Sequence, residues 1–127
     1  MPVTTTLRVV DTLSIVRVDG ELTADASGPG LERFRRIMDD VMAEAVDVAI
    51  ELSQVDAIDS EGVGELARAL TRVSRRGGRL ALVAPTAQVR KVLAVTRLDT
   101  VFHVLPSEQG AIDVLVKGPD TFAAPEA

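Results

Sequence analysis

The chemically eventful stretch of this sequence is Glu51-Leu52-Ser53-Gln54-Val55-Asp56-Ala57-Ile58-Asp59-Ser60-Glu61-Gly62-Val63-Gly64. It sets the hydroxyl of Ser60 among the carboxylates of Asp56, Asp59 and Glu61, just ahead of an amphipathic run. Asp59 or Ser60 is the natural N-cap of a helix starting here, and Glu61 and Glu65 fall in a first turn where the helix dipole and unpaired N–H groups favour negative charge. Gly62 and Gly64 are poor helix formers, each costing about 1 kcal/mol relative to Ala. Two so close together imply the near approach of another backbone or of a bulky partner.

Three chemistries compete for this segment. The acids could hold Mg²⁺ through oxygen, but acids at a helix start ordinarily form a solvated cap, so no metal is expected. Ser60 as a catalytic nucleophile lacks a Gly-x-Ser-x-Gly elbow, and the lone His103 falls on the last predicted strand with no evident orienting partner. No catalytic residue is therefore assigned and no enzyme activity is expected. Gly77-Gly78 belongs to no phosphate-cradling pattern and reads as a helix stop, so no nucleotide or other cofactor is expected. On the physics of the segment alone, Ser60 reads as a plain helix cap.

Composition narrows the partners. Fourteen basic against nineteen acidic residues leave a net charge of −5, which disfavours direct nucleic-acid binding. Three Phe and no Trp or Tyr rule out recognition by aromatic stacking, and the 46% hydrophobic share must form a core of aliphatic side chains. With no Cys there is neither disulfide nor thiol chemistry, and a single His removes the ordinary zinc sites. No run approaches the roughly 20 apolar residues of a membrane span, and no basic-then-apolar leader opens the chain. A cytoplasmic protein without membrane contact is expected.

The elements that must position Ser60 follow from periodicity. Leu7 and Val9, then Leu13 to Val18, read as a strand hairpin turning at Asp11-Thr12. Leu31, Phe34, Ile37, Met38, Val41 and Met42 mark one face of a helix, and Val46 to Leu52 reads as the central strand. Ser53 to Asp59 is expected as a loop into a second helix with Val63, Leu66, Ala67, Leu70 and Val73 inward. Its arginines Arg68, Arg72 and Arg75 are expected on the wet side. Arg79 to Val83 is a strand, Thr86 caps a short helix with Val89, Val92 and Leu93, Val101 to Leu105 is the last strand, and Ser107 caps a final helix. The order β-β-α-β-α-β-α-β-α predicts an α/β domain with a mixed, mainly parallel sheet and helices packed on one face. Residues 1–117 are expected to form the domain and residues 118–127 a flexible tail.

Around Ser60 the sequence resembles the STAS domain family, most closely the bacterial anti-sigma-factor antagonists. The family's run Asp/Glu-Leu-Ser, a short spacer, then apolar-Asp-Ser-Ser/Thr-Gly-apolar-Gly is matched, except at Glu61, by Glu51-Leu52-Ser53 and Ile58-Asp59-Ser60-Glu61-Gly62-Val63-Gly64. Outer matches at Gly20-Glu21-Leu22, Arg75 to Leu80, Val89 to Asp99 and Phe102 extend the resemblance over nearly the whole chain. It implies that Ser60 is the phosphorylation site of a partner switch. The unphosphorylated chain would bind an anti-sigma factor, itself a serine kinase that supplies ATP, and so free a sigma factor. A PP2C-type phosphatase would restore that form.

The expected partner surface comprises Thr23, Asp25, Asp56, Asp59, Ser60, Glu61, Gly62, Val63 and Gly64, on a monomer or weak homodimer. Glu61 departs from the Ser or Thr usual in relatives and gives Ser60 a permanent charged neighbour. The other reading is a STAS scaffold that is never phosphorylated, such as an interaction subunit of a signalling or lipid-transport complex.

Overall fold

Aliphatic, β-branched runs separated by short polar turns give strands, and three-to-four-residue apolar spacing gives the helices between them. The computed structural model describes residues 4–24, 30–44 and 46–116. In chain order the elements are β1 (Thr4–Val10), β2 (Leu13–Leu22), α1 (Gly30–Glu44), β3 (Asp47–Ile58), α2 (Ser60–Arg75), β4 (Leu80–Val83), α3 (Ala87–Val95), β5 (His103–Leu105) and α4 (Glu108–Leu115). That is the expected order. The tail expected at 118–127 lies outside the described residues.

The five strands form one sheet ordered β1-β2-β3-β4-β5, antiparallel at β1-β2 and parallel at every later pair. The hairpin turns at Asp11, whose φ of 53° is one that Asp tolerates. β3 is the central strand, as its apolar content foretold.

Alternation along the strands divides the core in two. Val16, Val18, Val48, Ile50, Leu52, Leu80 and Leu82 face α1, α2 and α3, meeting Phe34, Met38, Leu66, Val73, Val89 and Leu93. Leu13, Ile15, Ala49, Ala81 and Val83 face the other way and are covered by Ala111 and Leu115 of α4. The mixed α/β architecture is thus as expected, with one difference: α1, α2 and α3 share a face, whereas α4 packs on the opposite one. The odd-numbered apolar positions of β2 and their neighbours would otherwise be left in water.

A second difference concerns β3. Ser53 to Ile58, expected as a loop, continues the strand, pairing through Asp19↔Gln54, Gly20↔Val55, Glu21↔Ala57 and Leu22↔Ile58 with register shifts on the way. β4 pairs with β3 only from Val48 to Glu51, so beyond that point no strand flanks β3 on that side, and Gln54 and Asp56 are exposed. At the other end of the sheet the α2 helix stops at Gly77, whose φ of +80° suits a residue without a Cβ. The buried Asp47 carboxylate accepts from the Arg79 N–H at 2.8 Å and pairs with its guanidinium at 3.5 Å, securing the entry to β4.

Candidate functional site

The site lies where β2 and β3 end side by side and α2 begins. Asp59, in an extended conformation (φ −119°, ψ −173°), is the N-cap of α2, and its Oδ1 accepts from the Gly62 N–H at 3.0 Å. Its Oδ2 accepts from the Ala24 N–H at 3.1 Å, and its own N–H donates to the Leu22 carbonyl at 3.3 Å. One short side chain thereby ties the helix start to the exit of β2. Between the two capping candidates read from sequence, geometry chooses Asp59: Ser60 is already the first helical residue.

Ser60 is exposed, and its hydroxyl enters no hydrogen bond among the described residues. Glu61 follows, also exposed, in the first turn. Asp56 is exposed on β3, at the residue skipped between Gly20↔Val55 and Glu21↔Ala57, where a bulge turns a side chain outward. Thr23 is half-buried next to Ala24. Asp25 lies outside the described residues.

The two glycines do different things. A Cβ on Gly62 would collide with the Leu22 carbonyl oxygen and with Ile58, so here the approaching backbone is the chain's own β2. A Cβ on Gly64 would meet nothing within 4 Å. Gly64 is exposed whereas Val63, between them, is in the core. The structure therefore brings Thr23, Asp59, Ser60, Glu61, Gly62 and Gly64 to one corner, but gives Gly62 and Val63 packing positions beneath the surface.

Two features escaped the sequence. Glu65, read from sequence only as a dipole-favoured acid of the first turn, lies beyond that turn, is only 6% exposed and accepts from Arg35 Nε of α1 at 3.0 Å, with Arg68 Nε 3.6 Å away. That hydrogen bond, and then the carboxylate charge, raise the Arg35 pKa. Arg72, expected to be merely solvated, pairs with Asp39 of α1. The second is a bond of Thr86, which caps α3 as expected through the Val89 N–H but whose Oγ1 also donates to the Val55 carbonyl at 3.0 Å. Partners thirty residues apart leave no local signal. Among the described residues no group of three acidic, His or Cys side chains converges to hold a metal ion, and no helix is long and apolar enough to cross a membrane.

With this geometry in view, comparison with known proteins is informative. A family model described as STAS domain matches residues 4–111. The chain belongs to the STAS domain family. A protein of Thermotoga neapolitana with a provisional anti-sigma-factor-antagonist name is 35% identical over 66 residues, 52% of this chain and 58% of its own length. One from Thermotoga maritima, also provisionally named an anti-sigma factor antagonist, is 27% identical over 84% of this chain and 92% of its own. The chain thus spans little more than half of the first relative and nearly all of the second.

Among solved structures, a Thermotoga maritima protein of the same provisional name superposes with a TM-score of 0.79 at 26% identity, covering 87% of this chain and 93% of that one. The anti-sigma factor antagonist SpoIIAA superposes with TM-scores of 0.74 unphosphorylated and 0.68 phosphorylated, at 23% identity in both cases. Each covers 87% of this STAS chain and 94% or 97% of the other. The phosphorylated structure is that of a Bacillus protein.

Proposed function

We propose that this STAS domain is a cytoplasmic anti-sigma-factor antagonist whose choice of partner is set by phosphorylation of Ser60. The observation that carries the reading is the division of labour at the start of α2. Asp59 does the capping, so the Ser60 hydroxyl has no structural duty and stands in solvent, open to an incoming kinase. The unmodified chain binds an anti-sigma factor that is a serine kinase bringing its own ATP, and a PP2C-type phosphatase reverses the modification. Asp56, Ser60, Glu61 and Gly64 supply the exposed contact surface, joined by the half-buried Thr23 and by Asp25 close to it in sequence.

The physics of the position supports the reading. A phosphate adds about −1.5 to −2 charges at pH 7. At a helix N-terminus such charge is tolerated, so the fold survives. Against a docked partner the same charge, next to Glu61, costs several kcal/mol. A cost of about 3 to 4 kcal/mol weakens binding by some hundredfold to a thousandfold. SpoIIAA keeps this fold with and without its phosphate, consistent with a switch that needs no refolding.

The test is to incubate the full chain with the anti-sigma factor of its source organism and ATP, and to locate phosphate by mass spectrometry. One phosphate on Ser60, loss of the complex on modification, and constitutive binding by Ser60→Ala are expected. Binding that persists with Ser60 never modified would instead establish the scaffold reading.

A further inference from the structure

The two borders of the sheet are built differently. β5 is three residues long and too short to template another strand. β1 has seven residues, pairs with β2 without a bulge from Thr4↔Asp19 to Val10↔Leu13, and carries neither Pro nor Lys, with Arg8 its one charge. Such a long, regular, nearly uncharged edge lacks the devices that keep sheet borders from pairing. On its α1 side, Leu7 and Val9 are 51% and 62% exposed. Together with Ile37, Val41 and Val46 they line an open groove between β1 and α1.

We propose that a second copy of the chain completes this edge, with β1 pairing antiparallel to its counterpart about a two-fold axis at Leu7. Leu7 is the midpoint of Thr4–Val10, so this register pairs the entire strand. Thr5 then faces Val9 of the other copy, Thr6 faces Arg8, and Leu7 meets Leu7. No two like charges are opposed. Centring the pair on Arg8 would set guanidinium against guanidinium, and centring it on Thr6 would leave Val9 and Val10 past the end of the strand's own span. An interface using one patch on both copies closes on itself and stops at a dimer.

Charge on α1 singles out a second copy as the occupant. α1 packs over β1 and β2, so the axis at Leu7 sets the two α1 helices side by side and antiparallel. Arg33 and Arg36 are exposed in the N-terminal half of α1. Asp40, exposed on the rim of the groove, follows them by two turns and one turn. The basic half of each helix therefore faces the acid of the other. The pairing uses no residue of the Ser60 corner and is independent of the function proposed above.

Sedimentation velocity of the full chain over a range of concentrations tests this. A reversible dimer is expected. Leu7→Lys places two ammonium groups at the axis and weakens self-association by roughly a hundredfold, with an unchanged far-UV spectrum. Asp40→Arg weakens it by about tenfold, and adding Arg36→Glu to Asp40→Arg restores it. Should Leu7→Lys lose its fold, the Asp40 series decides. A monomer up to about millimolar concentration, that is, association weaker than about 4 kcal/mol, would overturn the proposal. So would a dimer indifferent to Leu7→Lys, or a double variant no stronger than Asp40→Arg alone.

Discussion

Replacing Gly62 and Gly64 by Ala, one at a time, makes the same chemical change two residues apart in one helix, and the structure demands opposite results. At Gly64 the new methyl group meets nothing within 4 Å, so the gain in helix propensity is uncontested and stability rises by about 0.5 to 1 kcal/mol. At Gly62 it runs into the Leu22 carbonyl and the Ile58 side chain. Overpacking of this kind costs about 1 to 3 kcal/mol. Because the main obstacle is backbone, relief requires the first turn of α2 to move off β2. That movement stretches the 3.1 Å bond from Ala24 N–H to Asp59 Oδ2 and the 3.3 Å bond from Asp59 N–H to the Leu22 carbonyl, each worth about 1 kcal/mol net. After subtracting the propensity gain, Gly62→Ala loses about 2 to 4 kcal/mol, and the variants should differ by about 3 to 5 kcal/mol. Equilibrium urea unfolding with a common slope measures this directly. A shift in the same direction for both, or a gap below about 1 kcal/mol, would refute the close approach of α2 to β2. A stable Gly64→Ala that binds its partner poorly would identify Gly64 as the contact glycine.

Asp59→Ala should cost about 1 to 2 kcal/mol through loss of the cap, while Ser60→Ala changes stability by less than about 0.5 kcal/mol; equal losses in urea titrations would mean that the two residues share the capping. Glu65→Gln should cost about 1 to 2 kcal/mol, between the values for exposed and buried ion pairs because Glu65 is 6% and Arg35 48% exposed. Asp39→Asn, which breaks the exposed pair with Arg72, should change stability by less than about 0.5 kcal/mol, and an equal effect at the two sites would contradict this ranking. Burial first, and the Arg79 charge second, lower the pKa of His103 below its ordinary 6.5. The unfolded chain therefore takes up this proton more readily, so stability is unaffected above the ordinary histidine range and falls as pH drops through it. The C2 proton of this sole histidine should titrate in NMR spectra with a midpoint below 6.5, and a midpoint at or above that value would contradict the assigned cause.

The element order was legible because each apolar run has a period and a stop signal of its own: Gly77 ends α2, Thr86 and Ser107 cap α3 and α4. Ser53 to Ile58 misled because Ser53, Gln54 and Asp56 have the polarity of a loop. That polarity is allowed where β3 outruns β4 and keeps only β2 as a neighbouring strand. The final helix was legible from its Ser107 cap, but nothing in its sequence says which side of the sheet Ala111 and Leu115 cover. Glu65 looked like a dipole-favoured acid because its partner, Arg35, belongs to another helix. At the candidate site, sequence supplied the hydroxyl, the acids and the glycines. Only coordinates could distribute the cap to Asp59, the close approach to Gly62 and the open surface to Gly64.

The distribution of those roles also constrains how a switch at this corner could work. The first turn of α2 is fastened to β2 by the Asp59 carboxylate, by the Asp59 N–H on the Leu22 carbonyl, and by the absence of a side chain at Gly62. Glu65 then fastens the next turn to α1. Among the described residues, a charge added to Ser60 meets no loose element to order or release, which separates this corner from switches that work by melting or docking a segment. Its effect has to be exerted outward, on whatever touches Ser60, Glu61 and Gly64. The expected signature is amide exchange in α2 that stays the same when Ser60 is phosphorylated while affinity for the partner falls. Accelerated exchange along α2 would mean instead that the fastenings yield and that the domain signals by changing shape.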